Sequence, residues 1–496
     1  MQYKTPGAYI LQPDFRQPIG AVPTALPVFI GYTEQASTEG RPLTQVPMRV
    51  TSMAQYETLY GGPPPLAFTY AEVSDTAGGR YTLLQPHRFV LHASLQLHFA
   101  NGGGACTIVS VGSYAATPSV DDFSAALAML EMRSDVTLVV APDVASLAPD
   151  VAAAYPALAL AHCGKLQDRV AILDVPGGDA PRGTGAQDQI AAFRASVGSD
   201  GLGYGAAYYP WLNTTVRGGV DFRAITPGSL PAFQARLQRE ANALFAGQPD
   251  QAAQLQALTQ AIASLSHDMP DAQAAAADQR LTASLGIYRQ VMQDILTRLN
   301  LLPPSGAMAG IYCRVDGARG VFVAPANVSP VGVTSPAVQL SDADQQDLNT
   351  PLDGKAVNAI RMFPNDGTLV WGARTLDGNS DDFRYINVRR TLIMLEQSIR
   401  QHFATYVNAP NVSSTWVTAA GAIDAFLTGQ WKEGALLGAK PSDAFTVDVG
   451  LGRTMTGDDI LNGTMRMVVK VALVHPAEFI VLTFVQQIQA PGDTHT

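Results

Sequence analysis

Between residues 123 and 176 an apolar helical period and a short apolar run alternate twice: 123–131 is periodic, 136–141 is β-rich, 152–165 is helical and 170–175 is a second run. Short runs that are apolar on both sides suit strands covered on both faces, and helices placed between them make those strands parallel. No other feature constrains the fold as much, because this one demands an α/β layer. Ala25-Leu26-Pro27-Val28-Phe29-Ile30-Gly31, residues 105–112 and residues 206–211 read as further strands, the last ended by proline. In residues 88–99, Leu91, Ala93, Leu95, Leu97 and Phe99 alternate with His92, Ser94, Gln96 and His98, as in a half-buried strand. Yet Asn101-Gly102-Gly103-Gly104 behind them is a good helix C-cap, so on pattern alone the segment is ambiguous.

Elsewhere the chain changes character. Pro6, Pro13, Pro18, Pro23 and Pro27 exclude a helix or a central strand from most of the first thirty residues, which read as an extended arm. Residues 230–302 are rich in Ala, Gln and Leu. Within them Leu255, Leu258, Ile262 and Leu265, then Leu281, Leu285, Tyr288, Met292, Ile295 and Leu299, step by threes and fours. Asp268-Met269-Pro270-Asp271 interrupts the period, which predicts a two-helix hairpin inserted into the α/β domain. Strands and loops are expected to return after Pro303-Pro304. An acidic turn at 377–382 then precedes a long amphipathic helix over 388–407 and a second helix over 418–431, and residues 444–449, 465–474 and 478–488 read as strands. The C-terminal region is therefore α+β.

The 496 residues make about three domains at ~150 residues each. Lys and Arg number 32 against 42 Asp and Glu, and the net charge of -10 disfavours a nucleic-acid surface. Charged residues are 15% of the chain, whereas soluble domains average about 25%. Either an assembly hides much of the surface, or Ala, Ser, Thr and Gln stand where charges usually do. The first residues carry neither a positive leader nor an apolar run, so cytoplasmic synthesis is expected. The run at 468–474 contains Lys470 and is far shorter than the ~20 residues of a membrane helix, so no membrane insertion is expected. Cys106, Cys163 and Cys313 form no C-x-x-C pair and read as reduced thiols.

His87, His92 and His98 lack an acid or thiol at ligand spacing, so no metal is expected. Gly201-Leu202-Gly203-Tyr204-Gly205 precedes a strand instead of opening a helix, and residues 102–104 lie between a helix and a strand, the wrong order for a phosphate loop. His162 and Cys163 are neighbours on a helix and point to different faces, so they make no dyad. Asp377, Asp381 and Asp382 do not fit a calcium loop, and Asn213-Thr214-Thr215 is a sequon without a secretory route. No catalytic residue and no cofactor are expected. The alternative is an α/β enzyme or small-ligand binder using residues 174–185, a loop rich in Gly and Asp that follows a strand.

Thr5-Pro6-Gly7-Ala8-Tyr9 and Val22-Pro23-Thr24 lead into Val28-Phe29-Ile30-Gly31, and Phe99-Ala100-Asn101-Gly102-Gly103 precedes a strand. Tyr208-Tyr209-Pro210-Trp211, Pro303-Pro304-Ser305-Gly306, Arg319-Gly320-Val321 and Ala324-Pro325-Ala326-Asn327 follow in order. Trp371-Gly372-Ala373-Arg374-Thr375-Leu376, Tyr385-Ile386-Asn387-Val388-Arg389-Arg390 and Pro476-Ala477-Glu478-Phe479-Ile480-Val481 close the set. In combination and order these resemble the contractile tail sheath proteins of phages, pyocins and extracellular contractile injection systems, and the resemblance turns residues 88–99 towards helix. There are two departures. Residues 230–302 sit where short sheath proteins pass directly to the Pro-Pro-Ser segment, and no segment resembles a recruitment helix for a disassembly ATPase.

The resemblance implies an α/β and α+β multidomain chain. Its parts are an N-terminal arm (1–25) joining an inner sheath domain, an outer α/β domain (26–225 and 303–365) interrupted by the hairpin insertion (226–302), and the inner domain with a C-terminal donated strand (366–496). It implies a non-enzymatic subunit that polymerises with itself as stacked hexameric rings around an inner tube protein, with baseplate and terminator or cap proteins as further partners. The particle would be a phage tail or tail-like body. Both termini would be lent to neighbouring subunits, with Tyr3, Pro6, Tyr9, Ile10, Phe479, Val481, Phe484 and Ile488 as arm residues. Asp424, Lys432 and Glu433 are the tube-facing candidates.

Overall fold

A computed structural model describes residues 18–73, 80–85 and 88–478. At its centre is an eight-stranded sheet: β1 (Pro27–Thr33), β2 (Met48–Val50), β3 (Cys106–Ser113), β4 (Leu138–Val140), β5 (Val170–Asp174), β6 (Gly205–Tyr209), β7 (Asn358–Phe363) and β8 (Gly367–Val370), in the order β8-β7-β6-β5-β4-β1-β3-β2. The strands from β7 to β3 run parallel, and the edge strands β8 and β2 run antiparallel to their neighbours. β1 is buried throughout. Its Val28, Ile30 and Tyr32 enter one core with Val109, Val111 and Val139, while Phe29 enters the other with Ile108, Leu138 and Val140. This two-sided burial is what the apolar runs encode.

Helix α1 (Leu91–Ala100) lies on the second face through Leu91, Leu95 and Leu97. Helices α2 (Val120–Met129), α3 (Pro149–Leu166) and α4 (Gln189–Ser196) cover the first face. The strand-like alternation of residues 88–99 carries no face, because His92, Ser94 and His98 are buried beside the leucines. Asp143 ties these parts together, its carboxylate accepting from Tyr32 N at 2.8 Å, Val90 N at 2.6 Å and Leu91 N at 2.8 Å. Burial pushes that carboxyl up to about 6, against the pull of the three N–H donors.

The insertion is four helices, not the two expected: α5 (Leu230–Leu244), α6 (Ala252–Ala263), α7 (Asp271–Ser284) and α8 (Gly286–Leu299). Gly247 at φ 76 and Pro249 separate the first pair, and Leu285, extended at φ -120, divides a leucine period that looks continuous in sequence. The insertion is not self-contained either. Phe233, Leu237, Leu258, Ile262, Tyr288 and Ile295 share one core with Phe68, Tyr70 and Leu83 of a hairpin formed by Thr69–Glu72 and Tyr81–Leu84, and Tyr81 Oη donates to Asp294. At the root, Arg217 N donates to Asn300 Oδ1 at 2.8 Å and Asn300 Nδ2 to Arg217 O at 2.9 Å. A short Gly/Ser bridge from residue 217 to 300 therefore closes the chain at little entropic cost. Excising 218–299 alone strips Phe68, Tyr70 and Leu83 and should give aggregated protein by sedimentation. Removing 67–84 as well should restore a soluble fold by circular dichroism.

After Pro304 comes a helix, α9 (Ser305–Arg319), where strands and loops were expected. Its glycines hid it, since each weakens a helix by about 1 kcal/mol. Tertiary contact supplies the reason for them. A Cβ on Gly306 would stand 2.6 Å from Ser94 O and one on Gly310 2.4 Å from His98 O, so only glycine lets α9 lie against α1. Gly310→Ala should cost about 1–3 kcal/mol by overpacking. Gly317→Ala, on the same helix with nothing within 4 Å, should be neutral or stabilising in the same urea titrations.

The C-terminal part is built on α10 (Ile386–Phe403), α11 (Ser413–Glu433), β9 (Phe445–Val449) and β10 (Met467–Val471), with short helices at Pro441–Ala444 and Gly457–Leu461. Its core joins Met394, Leu395, Ile423, Phe426, Leu427, Leu436 and Phe445 to Ile19 of the N-terminal segment. Val22 N donates to Ser398 Oγ at 3.0 Å, which lays that segment along α10.

Candidate assembly interface

β9 and β10 form a two-stranded antiparallel sheet, registered Phe445 to Val471 and Val449 to Met467, and past Val471 the chain makes one further antiparallel bridge, Leu473 to Leu436. Two strands alone are marginal. Phe445, Val447, Met467, Val469 and Val471 turn inward onto the α11 side, while Thr446, Val468 and Lys470 are exposed.

Each described chain end is held at its root. At the N-terminal side, Arg390 pairs with Asp316 at 2.5 and 3.0 Å and donates to Thr24 O at 3.1 Å, and Thr24 Oγ1 donates to Asp316 Oδ2 at 2.5 Å. The guanidinium lies 4.6 Å from the Tyr312 ring centre, and both partners are almost fully buried. Burial disfavours the Arg390 charge, but Asp316 more than offsets it and holds the guanidinium protonated. At the C-terminal side, Glu478 accepts from Arg374 Nη2 at 2.6 Å and Nε at 2.9 Å, from Asn349 Nδ2 at 2.7 Å and from Tyr385 Oη at 2.8 Å. Burial pulls the Glu478 carboxyl up, and the hydrogen bonds from Arg374, Asn349 and Tyr385 overcome it and hold the carboxyl below its ordinary range. Three stretches the sequence singled out separately, around Arg374, Tyr385 and Glu478, thus meet at one carboxylate. Asn349 and Asp316 went unnoticed, since no local pattern marks them.

Of the expected arm residues, Tyr3, Pro6, Tyr9, Ile10, Phe479, Val481, Phe484 and Ile488 lie outside the described residues. Asp424, Lys432 and Glu433 are all exposed on α11, whose other side buries Ala419, Ile423, Phe426, Leu427 and Gln430. They do not form one patch. At about 100° per residue, Asp424 and Lys432 share the outer side, while Glu433 points about opposite to Asp424 and accepts from Gln430 Nε2 at 3.0 Å.

The other candidates are packed. Trp211 closes the loop after β5, donating its Nε1–H to Val175 O at 2.9 Å and its backbone N–H to Gly178 O at 2.8 Å. The Asp174 carboxylate accepts from Ser305 N at 2.7 Å and Oγ at 2.5 Å. Burial pushes the Cys163 thiol up to about 12 and the His98 imidazole down to about 4, and a Cβ on Gly201 would stand 2.4 Å from Leu160 O. Among the described residues no three His, Cys, Asp or Glu side chains gather as metal ligands, and no helix is long and apolar enough to cross a membrane.

Residues 379–487, which include Tyr385, Arg390 and Glu478, match the family described as the phage tail sheath C-terminal domain. A tail sheath protein of Burkholderia phage BcepMu is 29% identical over 153 residues, a match spanning 30% of this chain and 32% of that protein. The fold extends the likeness over almost the whole length. The sheath of the PVC extracellular contractile injection system, in its contracted state, superimposes with a TM-score of 0.61 at 25% identity, covering 98% of this chain and 99% of the other. The contracted helical sheath of the anti-feeding prophage gives a TM-score of 0.63 at 27% identity, with 98% and 100% covered. Along almost its whole length this chain is similar to contractile tail sheath proteins. A subunit of the anti-feeding prophage baseplate shares the same fold with a TM-score of 0.60 at 26% identity.

Proposed function

We propose that this chain is the structural and mechanical subunit of a contractile sheath, polymerising as stacked hexameric rings around an inner tube and contracting to drive that tube through a target envelope. One observation carries the reading: the fold holds Thr24 and Glu478, near the two ends of the described chain, in ionic clusters with Asp316–Arg390 and Arg374, while among the described residues β9 and β10 pair as a sheet of two strands. Strands lent between copies add main-chain hydrogen bonds without closing a ring, which gives an open helical polymer. The surface agrees with this. Val407, Val412, Val417, Leu437, Leu451, Leu461 and Val468 are exposed between positions 407 and 468, and apolar exposure of this kind suits partial cover by neighbouring subunits.

In this reading residues 1–25 and 366–496 make the inner domain, 26–225 and 303–365 the outer one, and 226–302 an outward insertion. Contraction draws on a metastable extended lattice, so the subunit needs no catalysis or cofactor. Baseplate, tube and terminator or cap proteins are its partners, and the particle is assembled in the cytoplasm before release. Electron microscopy of the purified protein tests this: tubes with cogwheel sections support it, and small discrete oligomers under all conditions overturn it.

The tube contact falls to the outer side of α11. A sliding interface must release, which suits a few screened charges. Reversing Asp424 and Lys432 together should leave the fold intact and yield empty or prematurely contracted sheaths by microscopy. Ordinary extended particles from that double variant would assign the contact elsewhere.

A further inference from the structure

A cleft of about 260 Å3 lies where the root of the insertion meets α1. Arg88, Arg217 and His92 line it together with the amides of Gln85 and Gln96, and among the described residues no carboxylate does. In a chain of net charge -10 this is a local inversion of sign. Asn300 pins the Arg217 backbone from both sides, at 2.8 and 2.9 Å, and no described residue hydrogen-bonds or ion-pairs with the guanidinium it presents. Arg88 lies 5.4 Å from the Trp211 ring centre and donates one N–H to Arg298 O at 2.7 Å. Asp179 attracts Arg88 from outside the lining, Arg298 repels it, and Glu57 sits 3.2 Å from His92 Nε2. Desolvation lowers the Arg88 guanidinium to about 10 and moves Arg217 in the same direction.

A guanidinium taken from water without a counter-anion is unfavourable, and its planar fork matches the oxygens of a carboxylate or phosphate. We propose that this cleft binds one oxyanion on Arg88 and Arg217. A free phosphate-like ion can supply those oxygens, and so can an acidic side chain of a second copy of this chain. Only the second source rests on the sheath reading.

The test uses the full chain in two arms. In the first, thermal unfolding of the unassembled protein is followed with potassium phosphate against potassium chloride at equal ionic strength. A midpoint rising with phosphate by mass action, lost in Arg217→Gln and kept in Arg41→Gln, identifies a free oxyanion. In the second, Arg217→Glu is assembled beside the wild type, after its midpoint in chloride has been shown to match. No phosphate response, but at least tenfold less pelletable polymer in this variant, identifies a neighbour's carboxylate. A phosphate response that survives Arg217→Gln overturns the proposal, as does normal assembly of Arg217→Glu without any phosphate response. Because the first arm needs no polymer, failure of the sheath reading leaves it intact.

Discussion

A chain ended after Glu478 is expected to fold as the full-length protein does and to form no tubes. The cut belongs after Glu478, because removing that residue would leave the Arg374 guanidinium, with 4% of its side chain exposed, without its carboxylate. Residues 479–489 are apolar and β-prone, and a lent strand of that kind exchanges about five main-chain hydrogen bonds at ~1 kcal/mol each. Their loss should weaken subunit association by about three to four orders of magnitude. Circular dichroism would report the intact fold and sedimentation the missing polymer. Long tubes pelleting from the truncated chain would exclude strand donation by this segment.

Breaking the clamps should cost the most stability. Asp316→Asn leaves Arg390 buried without its charge partner, the side chains being 6% and 4% exposed, and should destabilise the subunit by about 3–5 kcal/mol. Glu478→Gln should cost less, about 2–3 kcal/mol, because Glu478 keeps 20% of its side chain exposed. Its pH dependence has a definite sign. The folded carboxyl titrates below the ordinary value of 4.5, so its contribution is present above that pH and is lost as pH falls through the lower folded value. Chemical denaturation should therefore separate Glu478→Gln from wild type at neutral pH, and the gap should narrow only below pH 4.5. An equal gap at about pH 3 would place the effect in packing instead of charge.

The parallel sheet was legible because its strands are short, apolar and interleaved with helices, a pattern that only two-sided burial explains. The long C-terminal helices were legible for the same kind of reason: the apolar faces of α10 and α11 repeat at the helical period, and residues 388–407 and 418–431 lie close to Ile386–Phe403 and Ser413–Glu433. The order of short motifs pointed to the family before any contact was known. Other features depended on partners far away in the chain. Gly306 and Gly310 look like helix breakers until α1 comes within van der Waals distance. Leu285 continues a leucine period in sequence, yet extended backbone there splits one expected helix into α7 and α8. Glu478 stands in a motif visible in sequence, but nothing there names its partner, and 104 positions separate it from Arg374. Local pattern records which face of an element meets the core, because that face repeats every two or 3.6 residues. It holds no record of which buried charges pair, because pairing is a property of distance in space, and the tertiary structure alone brings Arg374, Tyr385 and Asn349 to one carboxylate.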